Sequence, residues 1–573
     1  MNKIATPLLY EMINIMTNDE YQWEERQVRC LTELPNRNLK LIKQLLNFCV
    51  RPANTKECMK LIERMDKDQL QCIELFQKGE HGDGCKEVVE VMFRENQRFR
   101  AMYVDMDEQN LYDTFFPLIS ASSNCLTTLI LVIEKKESFL YNLDALLSFL
   151  KSLRYLRSFE LDMVEYFEDS PWYSDEGVRL IDSVFALPTI EQLVFGGSDF
   201  PYDLYHDRHP GKRIGGNLTQ FGFFSSVSCD NFLLNNFDPS RLRALRILWP
   251  VETDFEVLAT FMQSFKGLRS LHLTLRNPDA FDNLRCISHH GETLERLSLR
   301  VFTPSDRPFA RFQHSHEDFE QLLQKCTALR ELAVPLMYLH QPMEAWCYHD
   351  DILRNNLDWR FRWPNTVSPI ESLHVLNEPL PGDNAMRSYH KTRRRHVITR
   401  FARAFHAQLN IRGISDMLDW QRYPVDTVLD NQDTDTADGI HVIDPHGGDG
   451  CGPPLLPNLR ALLFGDNTKC GRDSCLYLHD WEFEEMDLVP VVVDRVDVGS
   501  GAWEGEGDEW IAADCGDRVC TRVRGGAEWQ YKEVGWAEFV GRFPWLHDFE
   551  IDARGWMDER TRIENRDKFR FWE

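Results

Sequence analysis

The chain has 573 residues, of which 43% are hydrophobic and 12% are aromatic, so it carries enough apolar side chains for a large folded core. Its 91 acidic and 65 basic residues give a net charge of −26, which repels nucleic-acid phosphates and argues against a general nucleic-acid binder. The sequence shows no signal peptide and no apolar run of the roughly 18 residues that cross a membrane. The 15 cysteines are scattered, as in a reducing compartment. We therefore expect an intracellular protein, cytoplasmic or nuclear.

Residues 1–50 are predicted to lead into the first structural repeat. The phrase Ile4-Ala5-Thr6-Pro7-Leu8-Leu9-Tyr10, followed by Ile13 and Ile15, is typical of a helix end that enters a strand at Tyr10–Ile15. It resembles the segment that closes an F-box and leads into repeats in fungal F-box proteins. The rest of the F-box has no counterpart, so residues 1–15 are only a C-terminal remnant. Leu34-Pro35, with Leu39 and Leu45, has two interpretations: an F-box opening or the helix of the first repeat, which fits better.

The phrase L-x-x-L-x-L recurs at an even interval in the middle of the chain. It occupies Leu242–Ile247, Leu268–Leu273 and Leu294–Leu299, each copy beginning 26 residues after the last. A period of this length is the signature of leucine-rich repeats. The phrase alternates like a strand, and Phe255–Phe265 between two copies has the spacing of an amphipathic helix. We predict an α/β fold: an irregular leucine-rich-repeat solenoid with a curved parallel sheet inside, helices outside and long loop insertions.

Less regular copies fill most of the remaining chain. Together with the three above they make eleven, and the others begin at Leu70, Leu126, Leu156, Ile190, Leu329, Ile370, Leu459 and Leu546. Their uneven spacing predicts insertions. Residues 51–376 are predicted to be the repeat array, with a surface insertion at 196–239 that is rich in Gly, Asp, Pro and Asn.

The last third of the chain is less periodic. Residues 377–458 are predicted to hold a basic helix at Lys391–Leu409 and an acidic disordered loop. Residues 459–573 are predicted to hold the terminal repeats, a further insertion and a C-terminal cap, with a strand at Leu488–Val493.

The usual leucine-rich repeat carries Asn or Cys three residues after the last leucine of the phrase. Here Pro250, Arg276, Phe302 and Met337 occupy that position. We therefore expect the turns to be closed differently from one repeat to the next.

Two pairs of cysteines are the only candidate metal ligands. Cys470 and Cys475, together with Cys515 and Cys520, have the number of thiols for a structural zinc site, although zinc pairs are usually more tightly spaced, which favours free thiols. The sequence has no phosphate loop, nucleophile elbow or kinase motif. We expect neither an enzyme nor a cofactor.

A basic spot is predicted on the concave face of the repeats. The residues that flank the buried pair of each strand form columns, and Arg246, His272, Arg296 and Arg300 fall together in them. Arginine suits the recognition of carboxylate or phosphate groups. The alternative is that these side chains are solvated and neutralised by nearby acids.

The F-box resemblance implies a function through partner proteins. It implies the substrate-recognition part of an SCF ubiquitin ligase, in which the repeats hold a target protein and an adaptor of the cullin–RING ligase binds the F-box. The second interpretation is a stand-alone leucine-rich-repeat scaffold with no link to ubiquitin. Both place a target protein on the concave face and neither involves nucleic acid or membrane.

Overall fold

The computed structural model describes parts of the chain that fall into two compact units. The described residues are 12–14, 28–50, 54–77, 85–106, 111–122, 125–134, 143–164, 175–196, 201–224, 230–248, 255–275, 286–301, 316–334, 366–375, 456, 458–464, 489–497, 519–523 and 527–533. The first unit contains those up to Lys266, and the second contains those from Gly267 onward.

The first unit is built on parallel strands that pair in chain order. They are β1 (Met12–Asn14), β2 (Gln44–Val50), β3 (Cys72–Gln77), β4 (Ala101–Met106), β5 (Thr128–Glu134), β6 (Ser158–Val164), β7 (Gln192–Gly196), β8 (Gln220–Phe224) and β9 (Ala244–Leu248). Each strand pairs in parallel with the next. Because parallel neighbours point the same way, the chain must cross back between them.

Helical segments make these return crossings. They are α1 (Asn36–Leu39), α2 (Thr55–Arg64), α3 (Cys85–Glu95), a π-helical turn (Leu111–Phe115) that runs into α4 (Phe116–Ser122), α5 (Leu143–Ser152), α6 (Asp175–Phe185), α7 (Tyr202–Arg208), a second π-helical turn (Phe232–Asn236) and α8 (Phe255–Gln263). Residues 28–33 are also helical. The helix predicted from the apolar spacing at Phe255–Phe265 is confirmed to within two residues as α8.

The core of the first unit lies between the strands and these helices. One row of apolar side chains crosses the sheet in register, and its members are at most 2% exposed: Ile73, Met102, Leu129, Phe159, Leu193, Phe221 and Leu245. A second row, two residues further along each strand, is buried to the same extent: Leu75, Val104, Leu131, Leu161, Phe195, Phe223 and Ile247. Burial of each such side chain contributes roughly 1.5–3 kcal/mol, so the stacked rows hold the repeats together. The chain therefore has the predicted α/β fold of the leucine-rich-repeat type.

Three repeats of the first unit were missed by the sequence pattern. Their phrases begin at Ile42, Phe99 and Leu218 and place Leu45, Met102–Val104 and Phe221–Phe223 in the strands. With them included, successive copies up to Leu242 begin 24–34 residues apart. The segment 196–239, which we expected to be a surface insertion, contains one complete repeat with α7 and β8. The pattern failed there because phenylalanine replaces leucine at both buried strand positions.

The start of the chain matches the expected strand and first repeat. β1 falls inside the predicted strand Tyr10–Ile15 and pairs with Gln44–Leu46 of β2. Leu39 and Leu45 are fully buried in this first repeat. Of the two interpretations of Leu34–Leu45, the structure therefore supports the repeat.

The second unit continues the same construction and then changes direction. Its parallel strands are β10 (Ser270–Leu275), β11 (Arg296–Val301), β12 (Glu331–Val334), β13 (Ser372–Val375) and β14 (Ala461–Phe464). A 3₁₀ turn (Ile287–His290) and helix α9 (His316–Lys325) connect the first three. β15 (Val489–Asp497) pairs antiparallel with β14, and β17 (Ala527–Glu533) pairs antiparallel with both β15 and β16 (Val519–Val523). The strand predicted at Leu488–Val493 thus corresponds to β15. The predicted copy at Leu546, the helix Lys391–Leu409, the acidic loop and the C-terminal cap lie outside the described residues.

Polar side chains in the turns before the strands tie each repeat to its neighbour. Gln69 donates from Nε2 to the carbonyls of Leu39 and Ile42 at 2.5 and 2.6 Å. Asn96 accepts at Oδ1 from the Leu70 amide of the preceding repeat at 3.0 Å. Three threonine hydroxyls donate to carbonyls of the preceding repeat: Thr127 to Arg100 at 3.0 Å, Thr219 to Glu191 at 3.1 Å and Thr293 to Leu268 at 2.8 Å. Different residue types therefore satisfy the turns before the strands. The positions that usually carry Asn or Cys, Pro250, Arg276, Phe302 and Met337, lie outside the described residues.

Candidate functional site

The strand face opposite the helices is the candidate binding face, which we call the distal face. In a strand, alternate side chains point to opposite sides, so the first and third residues of each strand lie on the distal face while the second and fourth fill the core. Paired strands align these positions into a first-position row and a third-position row. A partner that lies across the strands would meet a different side chain at each step.

From β5 to β8, the first-position row of the first unit is polar and partly accessible. Thr128, Ser158, Gln192 and Gln220 are register neighbours on β5 to β8. Gln192 is exposed and the other three are half-buried. Their hydroxyl and amide groups can both donate and accept hydrogen bonds, which suits contact with the backbone of a bound peptide.

The third-position row of the same unit is largely buried. Glu74 and Tyr103 are register partners on β3 and β4 and are both 0% exposed. Arg246 on β9 is 4% exposed and lies opposite Gly222 of β8. Glycine leaves the space next to Arg246 without a side chain, since a Cβ at Gly222 would lie 3.4 Å from Cβ of Arg246.

In the second unit the distal face is also closely packed. His272 on β10 is 3% exposed and is the register partner of Ser298, which is 0% exposed. Arg296 on β11 is the register partner of Glu331 on β12, and its side chain is 23% exposed. The Arg296 Nε atom lies 3.6 Å from Oε1 of Glu331, whose side chain is only 3% exposed.

The four residues of the predicted basic spot therefore occupy different settings. His272, Arg296 and Arg300 lie in the second unit, with Arg300 paired in register with Thr274. Arg246 lies in the first unit. Arg246 and His272 are buried and not solvated, whereas Arg296 lies next to an acid, as the alternative expected. The surroundings of the Arg300 side chain lie outside what the structure describes.

A row of charged residues that the sequence analysis missed lies just before the strands. We call it the pre-strand row, because each member is the residue immediately preceding a strand. In the second unit its members alternate in charge: Arg269, Glu295, Arg330, Glu371 and Arg460. Each backbone amide donates to the carbonyl of the previous member at 2.8 Å. Arg269 and Glu295 are 3.9 Å apart, as are Arg330 and Glu371, so opposite charges face each other along the row.

The pre-strand row of the first unit has a different composition. Its members are Lys43, Gln71, Arg100, Thr127, Arg157, Glu191, Thr219 and Arg243, joined by the same backbone bonds at 2.7–2.9 Å. Basic residues here are separated mostly by uncharged ones. The signal was present in the sequence, at the first variable position of each phrase, but it becomes a row only when the missed repeats at Ile42, Phe99 and Leu218 are included.

A separate charged cluster lies between α6 and α7. Asp182 accepts hydrogen bonds from Lys212 Nζ and, at 3.0 Å, from the hydroxyl of Tyr205. Burial opposes ionisation of Asp182, but these bonds outweigh it and hold the pKa of the carboxyl below its ordinary value. Burial and the neighbouring Asp182 raise the pKa of Tyr205. Burial, and then the nearby Asp230, raise the pKa of Asp203 on α7.

The cysteines provide no metal site in the described part of the chain. Within those residues, no group of three or more His, Cys, Asp or Glu side chains is placed to hold a metal ion. Of the predicted zinc ligands, Cys520 lies in β16 opposite Gln530, and Cys470, Cys475 and Cys515 lie outside the described residues. Burial raises the pKa of the Cys286 and Cys326 thiols to about 12, so both are protonated at neutral pH.

In the ranges that the structure describes, no helix combines the length and the apolar character needed to cross a bilayer.

Comparison with known proteins gives similarity to solved structures. No protein-family model matches the chain, and no curated protein matches it significantly. Among solved structures, a chain in the crystal structure of the Rad7 and Elc1 complex in yeast is similar, with 13% sequence identity and a TM-score of 0.33. The match covers 68% of this chain and 91% of that chain. The assignment to the leucine-rich-repeat type rests on the strand register and the buried rows described above.

Proposed function

We propose that this chain is a non-catalytic protein-binding repeat array that serves as the substrate-recognition part of an F-box-type (SCF) ubiquitin ligase receptor. Stacked repeats suit this role because they share one core and leave one face of the strands for side chains that the fold does not dictate. On the distal face those side chains differ from strand to strand. In the first unit, for example, Thr128, Ser158, Gln192 and Gln220 follow one another.

The observation that supports the ubiquitin-ligase part of the proposal is the position of β1. The segment Ile4–Ile15 resembles the end of an F-box where it leads into repeats. Met12–Asn14 within it pairs in parallel with Gln44–Leu46, so these three residues join the repeat sheet ahead of β2. An F-box that ends at this segment would be followed in sequence by the repeat sheet.

The target-binding residues are proposed to lie on the distal face. The sequence-based candidates are Arg246, His272, Arg296 and Arg300. Because Arg246 and His272 are buried, a target on the first unit would first meet the accessible first-position row, and a target on the second unit would first meet the half-buried Arg296. Replacement of Gln192 by Trp should block that row sterically without disturbing the core, whereas Arg246→Glu would reverse the sign of a buried charge.

The alternative function is a stand-alone repeat scaffold without adaptor binding. The burial of Leu39 and Leu45 in the first repeat favours it, because neither is free to form an adaptor-binding helix there. The two functions share the same target-binding face and differ only in whether the adaptor binds.

The deciding experiment is a pull-down with the adaptor of the cullin–RING ligase. The 573-residue chain and a version extended upstream, where the gene encodes one, are tested side by side, each with a Leu8→Asp/Leu9→Asp variant as the matched control. Binding that is lost in the variant supports the receptor function. Failure of both versions to bind leaves the scaffold. Capture of a target by both, weakened by Gln192→Trp, would support the distal face in either case.

A further inference from the structure

We propose that the pre-strand edge of the first unit, at Arg100, Arg154, Tyr155 and Arg157, binds an acidic, extended segment of a partner protein. The inference shares with the proposed function only the premise that the chain binds proteins. It concerns a different surface from the distal face and does not depend on the adaptor.

Backbone hydrogen bonds fix the spacing of this edge. The Thr127 amide donates to the Arg100 carbonyl at 2.9 Å, and the Arg157 amide donates to the Thr127 carbonyl at 2.8 Å. The three residues therefore stand at the same level on adjacent strands, which lie about 4.8 Å apart, and the two arginines are separated by about 10 Å. An extended peptide in the polyproline II conformation rises about 3.1 Å per residue with three residues per turn. Carboxylates three residues apart therefore lie on one side of it, about 9 Å from each other, which matches this distance.

The basic side chains here are available for a partner. Arg100, Arg154 and Arg157 are all exposed. In the part of the chain that the structure describes, no carboxylate oxygen lies within 4.0 Å of any of the three guanidinium groups. Glu191 is the next member of the row after Arg157 and marks the end of the basic stretch.

The second unit provides an internal comparison. The same row position there alternates Arg and Glu, and Arg269 and Arg330 face acids at 3.9 Å. The fold therefore does not require unpaired arginines at this position. In the first unit, uncharged Gln71 and Thr127 occupy the places on either side of Arg100.

An exposed aromatic side chain lies in the same stretch. Tyr155 is 56% exposed. In the described part of the chain, the large hydrophobic residues that are exposed are Tyr155 and Val367. Tyrosine and arginine are the residue types enriched in the energetic centres of protein interfaces. A partner segment with an apolar residue between its carboxylates would cover the Tyr155 ring while it neutralises the arginines.

The charge of the whole chain favours a peptide over a nucleic acid. With a net charge of −26, the protein repels a long polyanion, whereas a short acidic segment interacts mainly within one screening length, about 10 Å at 0.1 M salt.

The test uses the full chain and a fluorescein-labelled peptide of about twelve residues, rich in Glu and with a central Leu, long enough to span the edge when extended. Binding is measured by fluorescence anisotropy. The Arg100→Ala/Arg157→Ala variant should weaken binding about fivefold or more, and Tyr155→Ser about threefold, as expected for exposed charge and aromatic contacts. The matched control is Arg269→Ala/Arg330→Ala, which removes the same charge from the same row positions of the second unit. It should change binding by less than about twofold.

The proposal is overturned if the wild-type chain does not bind the peptide, if both double variants weaken binding equally, or if an oligothymidylate of similar charge binds more tightly than the peptide. Should the Arg100→Ala/Arg157→Ala variant fail to fold, Tyr155→Ser decides alone, since its ring is mostly in solvent. Adaptor binding in the pull-down is read separately, so either proposal can fail without the other.

Discussion

Arg296 and Glu331 are register partners on β11 and β12, and the guanidinium Nε of one lies 3.6 Å from the carboxylate of the other. The carboxylate is 3% exposed and the arginine side chain is 23% exposed. A residue predicted to present free positive charge to a partner is therefore engaged inside the protein. Its first role is to compensate a buried acid.

Arg296→Met is expected to lower the free energy of unfolding by about 1–3 kcal/mol, because Glu331 would stay buried without this cation. Arg269→Met is the control, since Arg269 is mostly in solvent, Glu295 is partly exposed and the two lie 3.9 Å apart. Such exposed pairs contribute about 0.5 kcal/mol. Urea denaturation of both variants measures the difference. Equal losses would show that the buried setting of Glu331 is unimportant.

Asp182 and Asp203 should shift stability with pH in opposite directions. The pKa of Asp182 is lowered in the folded protein, so its contribution is present above the ordinary value of 3.8 and is lost as the pH falls through the folded pKa. The pKa of Asp203 is raised, so its ionisation at neutral pH opposes folding and its protonation in acid removes that penalty.

We therefore expect Asp182→Asn to lower the thermal stability at pH 7, with the difference from wild type shrinking in acid. Asp203→Asn should raise the stability at pH 7, again with a difference that disappears in acid. Thermal melts between about pH 3 and pH 7 measure both, since ordinary carboxyl groups titrate in this range. A loss of stability in both variants at pH 7 would contradict the raised pKa of Asp203.

Replacement of Asn236 by alanine or by aspartate is expected to lower the free energy of unfolding. It is 0% exposed, its Oδ1 accepts a bond from His206 Nδ1 at 2.7 Å, and its Nδ2 donates to the carbonyls of His209 and Lys212 at 2.7 and 2.9 Å. In Asn236→Asp, an acceptor would face two carbonyl oxygens in the interior. The expected loss is about 3 kcal/mol, compared with about 2 kcal/mol for Asn236→Ala, in which the partners are only left unbonded. Denaturant unfolding at pH 7 measures the order, and a more stable aspartate variant would contradict the assignment of donors and acceptors.

The regular repeats could be predicted because leucine recurs at the strand positions that pack against helices. The repeat of β8 could not, because Phe221 and Phe223 fill those positions and the surrounding Gly, Asp and Pro residues suggest a loop. The distal face was only partly predictable. Strand alternation assigns Arg246 and His272 to that face, but it does not reveal how tightly the face is packed, so their burial could not be inferred. The alternation of Arg269, Glu295 and Arg330 is visible in the sequence once the copies at Leu268, Leu294 and Leu329 are aligned, whereas the row of the first unit also needs the missed repeats.

Replacement of a buried phenylalanine of the β8 repeat by leucine is expected to lower the stability of the protein. Phe221 is fully buried, and its ring stacks on Phe237 at 4.7 Å and meets the edge of Phe185 at 5.7 Å. Phe221→Leu restores the common phrase but leaves a gap and removes both ring contacts, for an expected loss of about 1–2 kcal/mol. Leu193→Ile, a buried substitution of equal volume on β7, is the control and should cost less. Equal thermal stability of Phe221→Leu and the wild type would show that the repeat does not depend on its aromatic core.

Gly291 has no side chain, and we expect this to be what lets the 3₁₀ turn pack closely against the end of α9. Its backbone conformation does not require glycine. Its φ is −57°, which any residue adopts. A Cβ on it would lie 2.3 Å from the carbonyl oxygen of Lys325 and 3.1 Å from the amide nitrogen of Cys326. Both are backbone atoms, so α9 would have to move away, and Gly291→Ala should cost about 2–3 kcal/mol by overpacking.

Gly211→Ala is the opposite case, because a Cβ there meets nothing within 4 Å but the φ is +76°. It should cost only the left-handed conformation, about 1 kcal/mol. Urea unfolding of the two variants measures the loss of stability, and hydrogen exchange of the α9 amides distinguishes the two causes. Only Gly291→Ala should speed the exchange of these amides. Unchanged exchange in that variant would contradict the close contact.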